Sequence, residues 1–180
     1  ETGLSNINAI FHPPGMILNT GWIERSGGDF LFYREGITEG VGRATNAIDM
    51  ERLMVAKALD VPARPFLDVF HDAGLTTLAA RDSGSISRAC EESTPNKTLR
   101  SPPSLDHRYV HEDVGYGLVP FQAFGRLAGV PTPTIDSFIH LASVATGISF
   151  GTDGLTLARM GLDRMTREEL HCYVESLERI

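Results

Sequence analysis

The chain has 180 residues, 42% of them hydrophobic and 22% charged, with a mean hydropathy of −0.08; this suits a soluble globule able to bury about 70% of its unfolded surface. Its net charge of −7 and the lack of any Lys/Arg run exclude the basic face that nucleic acid requires. No apolar run reaches the roughly 18 residues of a membrane span, and none reads as a signal peptide. Lys57 and Lys97 are the only lysines, so Arg carries nearly all the positive charge and offers its planar fork to carboxylates. Cys90 and Cys172 make neither a CxxC pair nor a disulfide framework, which points to a reduced, cytoplasmic compartment. The opening ETGLSNINAIFHPP lacks an initiator Met and is motif-like from the start, as expected of a piece of a longer protein.

Residues 4–25 begin with turn and cap formers, Ser5, Asn6 and Asn8, and then His12-Pro13-Pro14. Proline suits a first helical turn because its missing N–H is not needed there. The pair therefore predicts a helix entered at His12, with Met16, Ile17, Leu18, Trp22 and Ile23 at helical spacing and Gly27-Gly28 as its end. Residues 30–33 are an aromatic patch, either extended or a loop. Residues 38–59 read as a long helix with an apolar stripe of Ala47, Ile48, Met50, Leu53, Met54, Ala56 and Leu59, stopped at Val61-Pro62.

Short helices follow over residues 65–73 and 85–92, and the polar, proline-rich residues 93–104 form an exposed loop. Residues 106–130 predict a helix, a break at Gly115-Tyr-Gly117, and a second helix over 118–127 closed by Gly129. Thr132 as N-cap and Pro133 behind it open another, running through Ile135, Phe138, Ile139, Ala142 and Ala145. Residues 151–161 are mostly loop. Thr166-Arg-Glu-Glu169 has the capping-box pattern and starts a last helix with Leu170, Val174 and Leu177 inward. Six or seven helices with almost no strand signal predict one all-α domain over residues 1–180, with no internal repeat.

Chemistry-bearing groups concentrate in residues 105–130, where His107, Arg108, His111, Glu112 and Asp113 abut a glycine-rich apolar run. Such a cluster is either the wall of a cleft or a charged helix end facing water. His107 and His111 stand at i, i+4, a spacing that puts two imidazoles on one helix face. HRYVH nevertheless lacks the internal Glu of HExxH, so a solvated helix end is expected and no metal. Gly115-Tyr-Gly117 runs into Leu118-Val119-Pro120, without the third glycine of a dinucleotide fingerprint, and there is no P-loop. A nucleotide cofactor would thus be held mainly elsewhere. His12 at a helix N-terminus would be favoured as neutral imidazole, suited to acid/base work near pH 7, or would simply cap the turn. Arg108 and Asp113 lie about 140° apart on a continuous helix, so they line one cavity only if the helix ends near Asp113.

Taken together, SNINAIFHPPGMILNTGWIE and HRYVHEDVGYGLVPFQAFGRLAGVPTPTID resemble the two hallmark segments of the C-terminal helical domain of the octopine/nopaline (opine) dehydrogenase family. Their order, their separation by about a hundred residues and the helical character between them agree; the resemblance covers roughly residues 4–161. It implies a multi-helix domain similar to the C-terminal fold of 6-phosphogluconate dehydrogenase, with an N-terminal Rossmann domain upstream that binds most of an NAD or NADP cofactor. It also implies reductive condensation of an amino acid with a 2-keto acid. Carried over by position, His12 matches the catalytic histidine and Asp113 the carboxylate that orients and charges it. Arg108 matches a position that meets a substrate carboxylate, and Asn8 the asparagine near the active site. The residue types suit the chemistry: imine formation needs a proton donor and acceptor, a His paired with Asp has its tautomer fixed, and a guanidinium grips a carboxylate through two hydrogen bonds. Two other readings stand beside this one. A related two-domain reductase of hydroxy or phospho acids would be expected to use a Lys acid, and neither Lys57 nor Lys97 sits in such a motif. A non-catalytic dimerisation or binding module would use an exposed apolar face, which in either case could also hold a second copy or the upstream domain.

Overall fold

The longest helix, Glu39–Ala58, packs against helices on several sides, and its buried stripe shares only Ile48 and Ala56 with the apolar stripe read from the sequence. Val41, Thr45, Ile48, Arg52 and Val55 face inward at steps of three and four, whereas Met50 and Met54 are half exposed. Asp49, Glu51 and Arg52 lie inside instead because every charged atom of each has a hydrogen-bond partner. Arg52 donates to Asp49 Oδ1 from Nε (3.0 Å) and Nη2 (2.7 Å), to the Arg64 carbonyl (2.6 Å) and to the Leu4 carbonyl. Asp49 Oδ2 accepts the Phe66 N–H at 2.7 Å. Buried charge is tolerated only with partners of this kind, and sequence periodicity weighs hydrophobicity alone.

The computed structural model describes residues 3–177, with side chains through Tyr173. In chain order its helices are α1 (Asn8–Ile17), α2 (Thr20–Ser26), α3 (Glu39–Ala58), α4 (Phe66–Asp72), α5 (Leu78–Asp82), α6 (Ile86–Glu91), α7 (Arg108–Asp113), α8 (Val119–Ala128), α9 (Pro133–Thr146), α10 (Phe150–Asp153) and α11 (Arg167–Leu177). Two wide turns interrupt them, at Phe32–Gly36 and Val114–Leu118. The fold is all-α, as expected; more and shorter helices replace the six or seven predicted. The extended structure among the described residues is one isolated antiparallel bridge between Leu31 and Arg100. That bridge pins the proline-rich loop, which is mostly exposed as expected, with Ser93, Asn96, Ser101 and Pro102 tucked inward. No helix among the described residues is long and apolar enough to cross a membrane.

Three local expectations are corrected. Pro13 and Pro14 do not open α1; they sit inside it, one turn beyond its start at Asn8. Ala9, Ile10 and Phe11 are buried in the core, and that burial outweighs the backbone bonds two internal prolines cost. The predicted break at Gly115-Tyr-Gly117 is a continuous helical path that widens for one turn, where the Val119 N–H reaches back five residues to the Val114 carbonyl. Pro120 has no N–H to give the Gly115 carbonyl, which instead accepts from Leu155 at 2.8 Å. Thr132 does occupy the N-cap position of α9, but its side chain makes no cap bond. Glu51 reaches over from α3 and accepts the N–H groups of Thr134 (2.8 Å) and Ile135 (2.9 Å). The capping box is made as predicted, with reciprocal bonds between Thr166 and Glu169, and Leu170 is buried. The side chains of Val174 and Leu177 lie outside the described residues.

Apolar side chains from α1, α3, α4, α6, α8 and α9 close one core around Phe11, Phe32, Phe66 and Phe121. In it α1 touches α3, α7, α9 and the second wide turn, so its orientation is set from several sides.

Two measurements follow from this packing. Glu51→Ala removes an anionic acceptor from two backbone donors at a buried helix start and should lower unfolding free energy by about 1–3 kcal/mol in urea titration. Met54→Ala, on the half-exposed face, should change it by no more than about 0.5 kcal/mol. Burial raises the Cys90 thiol above its ordinary value of 9.0. Burial and the neighbouring Tyr109 hydroxyl raise the Tyr33 phenol above its ordinary 10.0. The fold therefore favours both neutral forms, so their contribution is intact below those values and fades as pH rises past them and the unfolded chain ionises. Stability should fall from about pH 9 upward, and Tyr33→Phe with Cys90→Ala should flatten that decline in pH-dependent unfolding.

Candidate active site

Where α1 crosses the Val114–Leu118 turn, a β-carbon at Gly117 would overlap the Ala9 methyl group. The bare glycine lets the two helical segments approach until side chains one turn away meet. His12, from the middle of α1, and Asp113, the last residue of α7, are 5% and 6% exposed, and His12 Nδ1 stands 2.7 Å from Asp113 Oδ2. A carboxylate accepts, so Nδ1 carries the proton, and Nε2 of the neutral ring is left with its lone pair. Among the described residues Nε2 has no hydrogen-bond partner, and it is not sealed from the surface. The placement of His12 at a helix N-terminus is corrected: a helix dipole acts within the first turn, and here Asp113 supplies the local charge.

Aromatic rings wall the pair. Tyr109 lies flat on the His12 imidazole, with centroids 3.6 Å apart and planes 10° apart. Phe11 meets the imidazole edge-on at 5.7 Å, and Phe32 is tilted at 6.3 Å. Tyr33 stacks on Phe11 at 5.2 Å, with its phenol influenced by Tyr109 and Asp113. Sequence reasoning passed over both tyrosines. The signal for Tyr109 was its place four residues before Asp113, which puts both on one helix face.

His107 and His111 are used at the start of α7. His107 is its N-cap, with Nδ1 accepting the Tyr109 N–H at 3.2 Å, and its ring edge meets Tyr109 at 4.6 Å and 86°. Partial burial, then Arg108 and His12, hold its pKa below the ordinary value. His111 Nε2 pairs with Asp106 at 2.8 Å. Among the described residues no three His, Cys, Asp or Glu side chains converge as a metal site.

Arg108 is 61% exposed, with Nε 3.4 Å from Glu112 Oε2 one turn on. An exposed pair of this kind is weak and readily exchanged for another carboxylate. Asn8, the first residue of α1, is exposed one turn before His12. Among the described residues, no side-chain hydrogen bond or ion pair joins Arg108 or Asn8 to the His12–Asp113 pair. In the Gly115-Tyr-Gly117 turn, a β-carbon at Gly117 would meet Ala9, and one at Gly115 would meet Phe150.

The family model for the NAD/NADP octopine/nopaline dehydrogenase alpha-helical domain matches residues 1–146. An opine dehydrogenase of Arthrobacter sp. (strain 1C) is 34% identical over 175 residues, covering 97% of this chain and 47% of that protein. Vitopine synthase of Allorhizobium ampelinum is 28% identical over 162 residues, 88% of this chain and 42% of the relative. An octopine dehydrogenase structure solved with NADH and L-arginine superposes with a TM-score of 0.67 at 21% identity, over 91% of this chain and 46% of that one. A second, with NADH and pyruvate, gives 0.55 over 88% and 46%. The chain thus spans about half the length of the relatives it matches. The chain belongs to the octopine/nopaline dehydrogenase family, as its alpha-helical domain.

Proposed function

We propose that this chain is the substrate-binding and catalytic domain of an NAD(P)H-dependent opine dehydrogenase-like oxidoreductase that joins the amino group of an amino acid to a 2-keto acid. The observation that carries the reading is the buried His12–Asp113 bond with Nε2 left toward the surface. The names of its relatives, and the NADH, L-arginine and pyruvate found with octopine dehydrogenase, support the substrate class. A dinucleotide would supply the hydride that reduces the C=N bond. The reading assigns it to an N-terminal Rossmann domain outside the residues matched to these relatives, with the whole enzyme cytoplasmic.

The part assigned to these residues is proton transfer and orientation. His12 Nε2 takes a proton from the amine as nitrogen attacks the keto carbon and passes it to the carbonyl oxygen, giving the carbinolamine; a second transfer, from nitrogen to the hydroxyl, lets water leave as the C=N bond forms. Asp113 holds Nδ1–H throughout, so the imidazolium forms beside a charge that stabilises it. Arg108 turns from Glu112 to grip a substrate carboxylate, and Asn8 supplies a polar group at the rim. A lysine acid, expected of the hydroxy-acid alternative, has no counterpart in this cluster.

In the full-length protein, oxidation of NADH or NADPH should require both a 2-keto acid such as pyruvate and an amino acid. Asp113→Asn, whose neutral amide carries no charge and can donate to Nδ1 so that the other tautomer is favoured, and His12→Ala should each lower kcat by about 10²–10⁴ with the fold intact by circular dichroism. Oxidation by the keto acid without an amino donor would overturn the assignment in favour of a hydroxy-acid reductase.

A further inference from the structure

A single hydrogen bond does not fix an imidazole. With Nδ1 tied to Asp113, the ring can still swing about that bond and carry Nε2 through an arc. Tyr109 closes this freedom. Its ring covers one face of His12 at van der Waals separation, 3.6 Å and 10° from parallel, while Phe11 and Phe32 stand against the imidazole at steeper angles. Tyr109 is itself held twice by His107, through its backbone N–H and through the edge of its ring, and Phe32 leans on it at 5.6 Å. One turn of α7 therefore carries both constraints on His12, the acceptor at Asp113 and the flat ring at Tyr109. Titratable groups close to the imidazole include Asp113, Tyr109 and His107 and, beyond Tyr109, Tyr33.

We infer that Tyr109 is the positioning residue for His12: its stacked ring, acting with the Asp113 bond, leaves the imidazole one orientation, with Nε2 held toward the reacting atoms. This deepens the acid/base reading and rests on it for its catalytic consequence, though the orientation itself does not. Because the ring face makes the contact, Phe can replace Tyr, whereas an aliphatic side chain cannot. A residue placed on a reacting group in this way acts on turnover more than on substrate affinity, since misorientation by about 1 Å costs on the order of 10²-fold in rate.

The test uses the full-length protein as wild type, Tyr109→Phe and Tyr109→Leu, with thermal unfolding to show that each variant folds. Without substrate, the proton on His12 Nδ1 gives a low-field proton NMR resonance, assigned by its loss in His12→Ala. Tyr109→Phe should keep this resonance and stay within about 3-fold of wild-type kcat. Tyr109→Leu should broaden or lose it and lower kcat by about 10- to 100-fold, with KM changed less than about 3-fold. A resonance as sharp in Tyr109→Leu as in wild type would overturn the positioning role. So would equal losses in the Phe and Leu variants, which would mean that the hydroxyl is the acting group. Should His12→Ala leave turnover intact, the acid/base reading fails, and the resonance still decides whether Tyr109 orients the ring.

Discussion

The bond between His12 and Asp113 is the constraint on which this end of the molecule depends. Taking a carboxylate out of water costs several kcal/mol unless a partner replaces the lost solvation. Here the partner sits on a helix a hundred residues away in sequence. The two helical segments must lie close and keep their rotation, or both groups are stranded. Ala9 against Gly117 permits the approach, and the aromatic side chains around Phe11 and Phe32 fill the space beside it. Packing and polar pairing thus set the same geometry from opposite sides, which makes the buried His–Asp pair durable and reproducible.

A second buried polar group does comparable work for the scaffold. On α3, Asp49, Glu51 and Arg52 are consecutive or nearly so, yet together they tie the helix to three segments: the Leu4 carbonyl, the stretch from Arg64 to Phe66, and the start of α9. Most of these bonds end on backbone atoms, so they hold chain path rather than surface chemistry. The Leu4 tie is the one closest to the site, because the chain runs from it directly into α1. A helix that must present His12 at a fixed angle is anchored just before it begins, by a guanidinium with no exposure at all.

How much of this was legible in the sequence differs from element to element. Helix identity came from periodicity and punctuation, and α3, α4, α6, α9 and the Thr166–Glu169 box lie close to where those signals put them. His12 and Asp113 were singled out by a pattern resembling a family, and local composition alone left them as a turn cap and a surface acid. What failed was physical in each case. The inward face of α3 was misjudged because hydrophobicity says nothing about a salt-bridged Arg. The start of α1 was misplaced because tertiary burial overrode the local cost of two prolines. Tyr109 went unnoticed because stacking has no composition signal, only a spacing that becomes informative once Asp113 is known to point inward.

The wide turn at Val114–Leu118 has a consequence for how this segment tolerates change in length. It holds one residue more than an ordinary helical turn, and each residue of a helix advances the side chains by about 100°. The extra residue works as a phase shifter: it lets Tyr109 and Asp113 aim at α1 while Leu118 and Phe121, further along the same path, aim at the core. Removing one residue there would give a more regular helix with its two halves out of step, so that either the core face or the face toward His12 could be in register but not both. The irregular helix, rather than the ideal one, is what allows a single run of chain to serve the core and the site together.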